Sequence, residues 1–320
     1  MKATIHCGTY KTGSTAIQNT AYYNQDSLRE QGVIYPNAGI DINAQKDGGE
    51  IGFRHARFVY EYNKNTYGSL KAQLEKEVSD KTCSQVFISS EAWSRPDTIV
   101  SLNAIVKYLK KIGFTEVNGI VFIRNVKEYM VSHYREWVRR YGTSSNFENY
   151  VISKKYYFDY LTIFNNIKKA FEGNVDFISY ENINDVNRFT FEKLGVDYDN
   201  LKLPNKTNKG ISCLDTEVIR LLNQYGLRIK NLPSSDELLG HFGLQVQKKG
   251  FSEKLPYGFT EVFDNKYIKD FSSLTEINFS DSKRLFSNRE NLGFDISTIS
   301  PLLEKAVLEW LKSKKASTFG

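Results

Sequence analysis

The sequence predicts an α/β fold, with a central parallel sheet flanked by helices and a mainly helical and irregular C-terminal appendage. Short apolar strand-like runs alternate with helix-patterned segments through the first part of the chain, the arrangement of a parallel sheet covered on its faces. A glycine-containing turn joins the first strand directly to the first helix. From about Pro204 the alternation gives way to a polar, basic loop and then to irregular sequence rich in Phe, Asn and Ser. These observations place a core at residues 1–215 and a helical and irregular extension, packed on that core, at 216–320.

The elements follow in order. Ala3-Thr4-Ile5-His6-Cys7 opens the sheet, and Ala16–Tyr23 has helical character. Gly32–Pro36 reads as a short strand that proline ends. Residues 37–50 are polar and glycine-rich, a loop. Helix-like patterning covers Ile51–Lys64 and Tyr67–Val78, the second with Leu70, Leu74 and Val78 at helical spacing. Gln85–Ser90 has the continuous apolar pattern of a buried strand. Asp97 then caps a helix to about Lys111, with Ile99, Leu102, Ile105, Val106 and Leu109 on one face and Gly113 past its end. Val117–Ile123 is a strand, Val126–Tyr141 and Tyr156–Phe171 are helices, and Val175–Ser179 is a strand. Helix-like runs return at Thr216–Tyr225 and Leu302–Lys315. Ligands on such a sheet sit at the carboxyl ends of the strands. The candidate site residues below fall there, or on the loop or helix that follows.

Composition narrows the function classes. A hydrophobic content of 40% and an aromatic content of 14% over 320 residues exclude a disordered chain. A net charge of +6 suits anionic ligands but falls short of a dedicated nucleic-acid binder. Cys7, Cys83 and Cys213 are too far apart for a metal-ligand spacing or a disulfide framework. The four histidines form no zinc-type pair, so no metal is expected. The first strand begins near the start of the sequence, leaving no room for a signal peptide. No apolar run reaches the roughly 18 residues of a membrane helix. The expectation is a cytoplasmic protein with reduced thiols; the oligomeric state is not readable.

The loop Gly8-Thr9-Tyr10-Lys11-Thr12-Gly13-Ser14-Thr15 is the strongest functional signal. Between strand and helix, glycines let the backbone bend close to a ligand, and the first helical N–H groups and the helix dipole favour an anion. The spacing of Gly8 and Gly13 matches the Walker A motif, with Thr15 at the position of the magnesium-binding hydroxyl. Ser14, however, replaces the motif lysine, and the lysine sits in the bend at Lys11. This departure argues against a Mg-ATP enzyme and for transfer of another group from a nucleotide. A strand-to-helix turn with a solvated lysine is the plainer alternative.

Thr9–Thr15 resembles the 5′-phosphosulfate loop of the sulfotransferases that use 3′-phosphoadenosine 5′-phosphosulfate (PAPS), in the form of the carbohydrate and bacterial members. A second stretch, Val121–Tyr134, resembles the family's 3′-phosphate motif: a strand, Arg124, then Ser132 in the following helix and a Ser-x-Tyr pattern. The rise from Val126 to Ser132 is about 9 Å, and an arginine's planar fork suits a phosphate. The resemblance covers about residues 1–215. It implies a P-loop-like sulfotransferase core, PAPS as donor, PAP as product and no required metal. It assigns Tyr10, Lys11, Thr12, Gly13, Ser14 and Thr15 to the 5′ end of the donor and Arg124 and Ser132 to the 3′-phosphate. Lys206, Lys209 and Gly210 match loosely a basic loop that closes over the adenosine; a solvated turn is the alternative.

The glycan-type members carry a glutamate where Glu91 stands, at a strand's carboxyl end between the two motifs. A positioned base assists removal of the acceptor's proton by roughly 10²–10⁴. Glu91 is the first candidate, with a helix-capping or ion-paired glutamate near Arg95 as the structural alternative. His55 is the competing base. Lys11 would stabilise charge on the oxygen bridging sulfur to the 5′-phosphate. Trp93 is a candidate for stacking on a sugar, against a place in the core. Arg135, Arg139 and Arg140 are candidates to face an anionic acceptor, against a solvated face. A carbohydrate or glycan acceptor, anionic ones included, is expected, with no nucleic acid and no membrane span. The other readings are a P-loop kinase-like phosphotransferase and a non-catalytic nucleotide- or polyanion-binding protein.

Overall fold

A computed structural model describes residues 1–42, 52–79, 83–203, 211–227 and 296–318. These form two compact units. Among the described residues, the first takes in 1–126 and 156–203, and the second 127–155, 211–227 and 296–318.

The first unit is built on a five-stranded parallel sheet in the order β2-β3-β1-β4-β5. The strands are β1 (Lys2–His6), β2 (Val33–Ile34), β3 (Gln85–Ser89), β4 (Glu116–Ile123) and β5 (Val175–Ser179). Its helices are α1 (Ser14–Tyr23), α2 (Gln25–Glu30), α3 (Arg57–Tyr60), α4 (Tyr67–Val78), α5 (Ile99–Lys111), α8 (Tyr160–Ala170) and α9 (Val186–Lys193). The predicted α/β class is therefore the observed one. β1 is central, with His6 opposite Ser89 of β3 on one side and Ile120 of β4 on the other. What leaves the carboxyl ends of β3 and β4 must therefore flank the loop that follows β1.

Burial follows the two-residue period of a strand covered on both faces. Phe87, Ile120 and Phe122 join Ile17, Ala21, Leu28, Phe191 and Leu194 in one apolar cluster, which seats α1, α2 and α9 on that face. The alternate positions Val86, Ile88, Val121 and Ile123 are equally buried. α5 packs on β4 and α8, burying Leu102, Ile105, Val106 and Leu109.

Two local expectations are corrected. The helix read over Ile51–Lys64 is confined, among the described residues, to Arg57–Tyr60. Before it the backbone bonds elsewhere: Arg54 N–H donates to Gly52 O at 2.8 Å and His55 N–H to Ser89 O at 2.8 Å. Asp97 does not cap α5. It accepts from Arg95 Nε at 2.9 Å, and a 3₁₀ turn, Pro96–Thr98, intervenes before the helix.

The second unit contains α6 (Val126–Tyr141, of which Val126 belongs to the first unit), α7 (Phe147–Ser153), α10 (Cys213–Gln224) and α11 (Ile296–Thr318). Leu214, Val218, Leu221 and Leu222 of α10 pack against Leu303 and Val307 of α11. Asn223 Nδ2 donates to Val138 O at 2.9 Å and Arg220 Nη1 to Ser144 O at 3.0 Å, which ties α10 to the α6–α7 connection. No helix among the described residues is long and apolar enough to cross a membrane.

Candidate active site

The turn after β1 is shaped by its own hydrogen bonds. Beyond His6 the chain stays on β4: Phe122 N–H donates to Gly8 O at 2.7 Å and Thr9 N–H to Phe122 O at 2.8 Å. The chain then folds back, and Thr12 Oγ1 donates to Thr9 O at 2.7 Å. Lys11 and Gly13 both take positive φ, 66° and 82°. A lysine held there costs on the order of 1–3 kcal/mol, strain that functional loops often hold. At Gly13 an added Cβ would come within 2.5 Å of Val186 Cγ1, so only glycine lets the turn close against α9. Ala16 and Ile17 make the first helical bonds, both to Gly13 O. The N–H groups of Gly13, Ser14 and Thr15 have no hydrogen-bond partner among the described residues. The Thr12 and Ser14 hydroxyls point inward, so these two residues offer an anion backbone rather than side-chain donors.

Arg124 leaves β4 beside this turn. Its Nη1 donates to Lys11 O at 3.1 Å, and its guanidinium lies over the Tyr180 ring at 5.8 Å. Tyr160 Oη donates to Arg124 O at 2.9 Å, and Glu181 Oε1 accepts from Asn125 N–H at 2.7 Å. These bonds fix the stretch that carries the arginine. The structure thus places Arg124 beside the Lys11 turn, a proximity that the sequence does not foretell.

Glu91 leaves β3 on the other side, opening a 3₁₀ turn over Glu91–Ser94. It lies against Gly8, where an added Cβ would meet Glu91 Cα at 3.0 Å. Its side chain is 12% exposed, and both carboxylate oxygens are held. Arg54 Nη1 donates to Oε1 at 2.8 Å, and Gln18 Nε2 donates to Oε2 at 2.8 Å. Burial works to raise the Glu91 carboxyl, but the Arg54 guanidinium and the Gln18 amide outweigh it and hold it below the usual carboxylate range. Its ion-pair partner is Arg54, and Arg95 pairs with Asp97 instead. Sequence reasoning misses Arg54 and Gln18. Gln18 leaves one trace: it is a polar residue in the buried stripe Ser14, Ile17, Gln18, Ala21 of α1. Arg54 lies 37 positions from Glu91 and leaves none.

The structure gives His55 a different task from the one expected. It is fully buried, with Nδ1 accepting from Ser89 N–H at 3.1 Å and Nε2 donating to Pro36 O at 2.8 Å. Burial lowers its pKa to about 4. A ring with both nitrogens bonded to backbone braces β3 against the segment after β2 and has no lone pair left for an acceptor proton. Trp93 is also buried, its indole donating to Ser101 Oγ at 3.2 Å, so it does not present a face for sugar stacking.

Ser132 lies half-buried on α6, in the second unit. On the same helix Arg140 Nε bonds Glu136 Oε1 at 3.0 Å. Lys206, Lys209 and Gly210 lie outside the described residues, as does most of the stretch 230–300. Within the second unit a cavity of about 580 Å³ is lined by Tyr134, the tyrosine of the Ser-x-Tyr pattern, and by Cys213, Asn149, Glu217, Arg220 and Glu304 among others.

No protein-family profile matches the sequence, and no curated protein matches it. Among solved structures, the chain is similar to the crystal structure of a sulfotransferase from Alicyclobacillus acidocaldarius, at 15% identity and a TM-score of 0.38, over 71% of this chain and 96% of that one.

Proposed function

We propose that this chain is a sulfotransferase that moves the sulfuryl group of PAPS to a hydroxyl or amine of a carbohydrate or glycan acceptor. One observation carries the reading. The lysine-bearing turn after β1 lies between a buried carboxylate leaving β3 and an arginine leaving β4, and Arg124 donates to the Lys11 carbonyl itself. The residues present suit a nucleotide phosphosulfate: amide N–H groups at Gly13, Ser14 and Thr15 without partners among the described residues, and the cations Lys11 and Arg124 at the same strand ends.

The donor, when bound, supplies a sulfuryl group activated by its anhydride link to phosphate. In this reading the Tyr10–Thr15 turn holds the 5′ end of the donor. Arg124 holds the 3′-phosphate, and the roles of Ser132, Lys206, Lys209 and Gly210 toward the donor rest on the sequence resemblance alone. Lys11 stabilises the negative charge that develops on the bridging oxygen, more in the transition state than before it. Glu91, ionised at neutral pH, takes the proton from the acceptor hydroxyl or amine. A carboxylate offers about four lone-pair sites, and the bonds from Arg54 and Gln18 leave room for that proton. The glycan acceptor and the 3′-phosphate contacts rest on the sequence resemblance, and a cytoplasmic setting on the composition and cysteine usage of the sequence.

Thermal unfolding of the full chain with adenosine 3′,5′-bisphosphate, and separately with ATP-magnesium, tests the donor. A ligand at 100 times its dissociation constant adds about 2.7 kcal/mol. Stabilisation of that order by the bisphosphate is the expected result. Stabilisation by ATP-magnesium alone would overturn the reading in favour of a phosphotransferase.

A further inference from the structure

We propose that Gln18 and Arg54 are positioning residues that clamp the Glu91 carboxylate, one on each oxygen, and that Ser89 and His6 set the sense of that clamp. The inference deepens the reading of Glu91 as the base and rests on it.

A chain of buried polar groups crosses the carboxyl ends of β1 and β3. Gln18 Nε2 has two N–H groups; one donates to Glu91 Oε2 at 2.8 Å and the other to Ser89 Oγ at 3.2 Å. Ser89 Oγ shares a 2.8 Å hydrogen bond with His6 Nδ1, which the hydroxyl donates when the His6 proton is on Nε2. That sense goes with a neutral His6 whose proton is on Nε2; burial, which lowers the ring's pKa to about 4 against the pull of Glu91, keeps the ring neutral. A neutral His6 with its proton on Nε2 fixes the Ser89 hydroxyl. The hydroxyl fixes the Gln18 amide with nitrogen toward Glu91, and Arg54 closes the other oxygen. Reversing the amide would set its oxygen against the carboxylate.

His6 Nε2 and Arg54 Nε are both buried with no hydrogen-bond partner among the described residues. A buried ion pair is often no more stable than apolar residues of similar volume. This array leaves donors unsatisfied at both ends while satisfying the carboxylate at its centre. The titratable and charged groups that face Glu91 are Arg54 from the segment before α3, His6 from β1 and Tyr35 from the segment after β2, whose own pKa Glu91 helps to raise. Only Arg54 among them is cationic at neutral pH.

The test follows the Glu91 carboxyl by carbon-13 NMR in the full chain, its signal assigned by loss in Glu91→Gln, alongside the pH profile of sulfate transfer from PAPS. Arg54→Met removes the opposing charge and should raise the Glu91 titration by about one pH unit or more. Gln18→Leu should raise it by less, and Arg54→Lys should return it most of the way. The acid limb of kcat/KM should move by the same amounts, with kcat falling and KM for PAPS unchanged. Ser89→Ala loosens only the Gln18 amide, leaves both Glu91 contacts in reach and should give a small shift in the same direction. A Glu91 titration that stays put in Arg54→Met and Gln18→Leu, or that moves while the acid limb does not, overturns the clamp. A titration that moves in a chain that fails to bind adenosine 3′,5′-bisphosphate keeps the clamp on the carboxylate and overturns the donor reading instead.

Discussion

Lys11→Ala is expected to lower kcat for sulfate transfer by roughly 10²–10³, the cost of removing one preorganised group from a site where charge develops. Bond breaking moves negative charge onto the bridging oxygen, so the missing cation is felt in the transition state more than in the bound ground state. KM for PAPS should therefore change less than kcat. The loss should not come from misfolding. Lys11 is half-buried at a turn, and alanine at φ 66° is no more strained than lysine. Lys11→Met keeps the bulk of the side chain and should be equally slow. Steady-state kinetics with PAPS and an unfolding midpoint for each variant check this. A kcat within tenfold of the wild type in both would remove Lys11 from the mechanism.

Two buried histidines make the fold sensitive to mild acid. His6 and His55 are each fully buried, and burial lowers each pKa from 6.5 to about 4. Between those values the unfolded chain binds a proton at each ring and the folded chain does not, so stability falls with falling pH. The contribution is fully present above about pH 6.5, lost at roughly 1.4 kcal/mol per pH unit per histidine below it, and gone near pH 4. The full loss is about 3 kcal/mol for each ring, on the order of half or more of a typical domain's stability. Glu91 adds to the loss only at the acid end of this window, because a lowered carboxyl begins to cost stability as the unfolded carboxylate protonates, from about pH 5 downward. Urea unfolding between pH 7.5 and 4.5 should show this slope, and His55→Gln should reduce it, as should His6→Gln. A slope unchanged in the double variant would contradict the assignment of neutral, buried rings.

Much of the described chain up to residue 203 is legible in the sequence because its signals are local. The bounds of α4, α6 and β5 follow directly from helical spacing and a short apolar run. Gly8 and Gly13 mark the turn, and positive φ at both is what the sequence can show through glycine. Short helices such as α9 are set less by periodicity than by a cap, here Asp185 Oδ1 accepting from Asn187 and Arg188 N–H. The carboxylate clamp is the part that local reading cannot reach. Arg54, Gln18 and Glu91 meet only because β1 and β3 are neighbours and the backbone around His55 bonds to the end of β3. The same long-range bonds defeat the helical pattern of the segment after residue 51 and turn His55 from a candidate base into a brace.

The most direct measurement is sulfate transfer itself. The full chain is incubated with radiolabelled PAPS and a panel of glycans and small hydroxyl or amine acceptors. The account predicts label in an acceptor, PAP released in equal amount, and loss of both in Lys11→Ala. Phosphorylation of an acceptor from ATP-magnesium, with no label passing from PAPS to any acceptor, would contradict it.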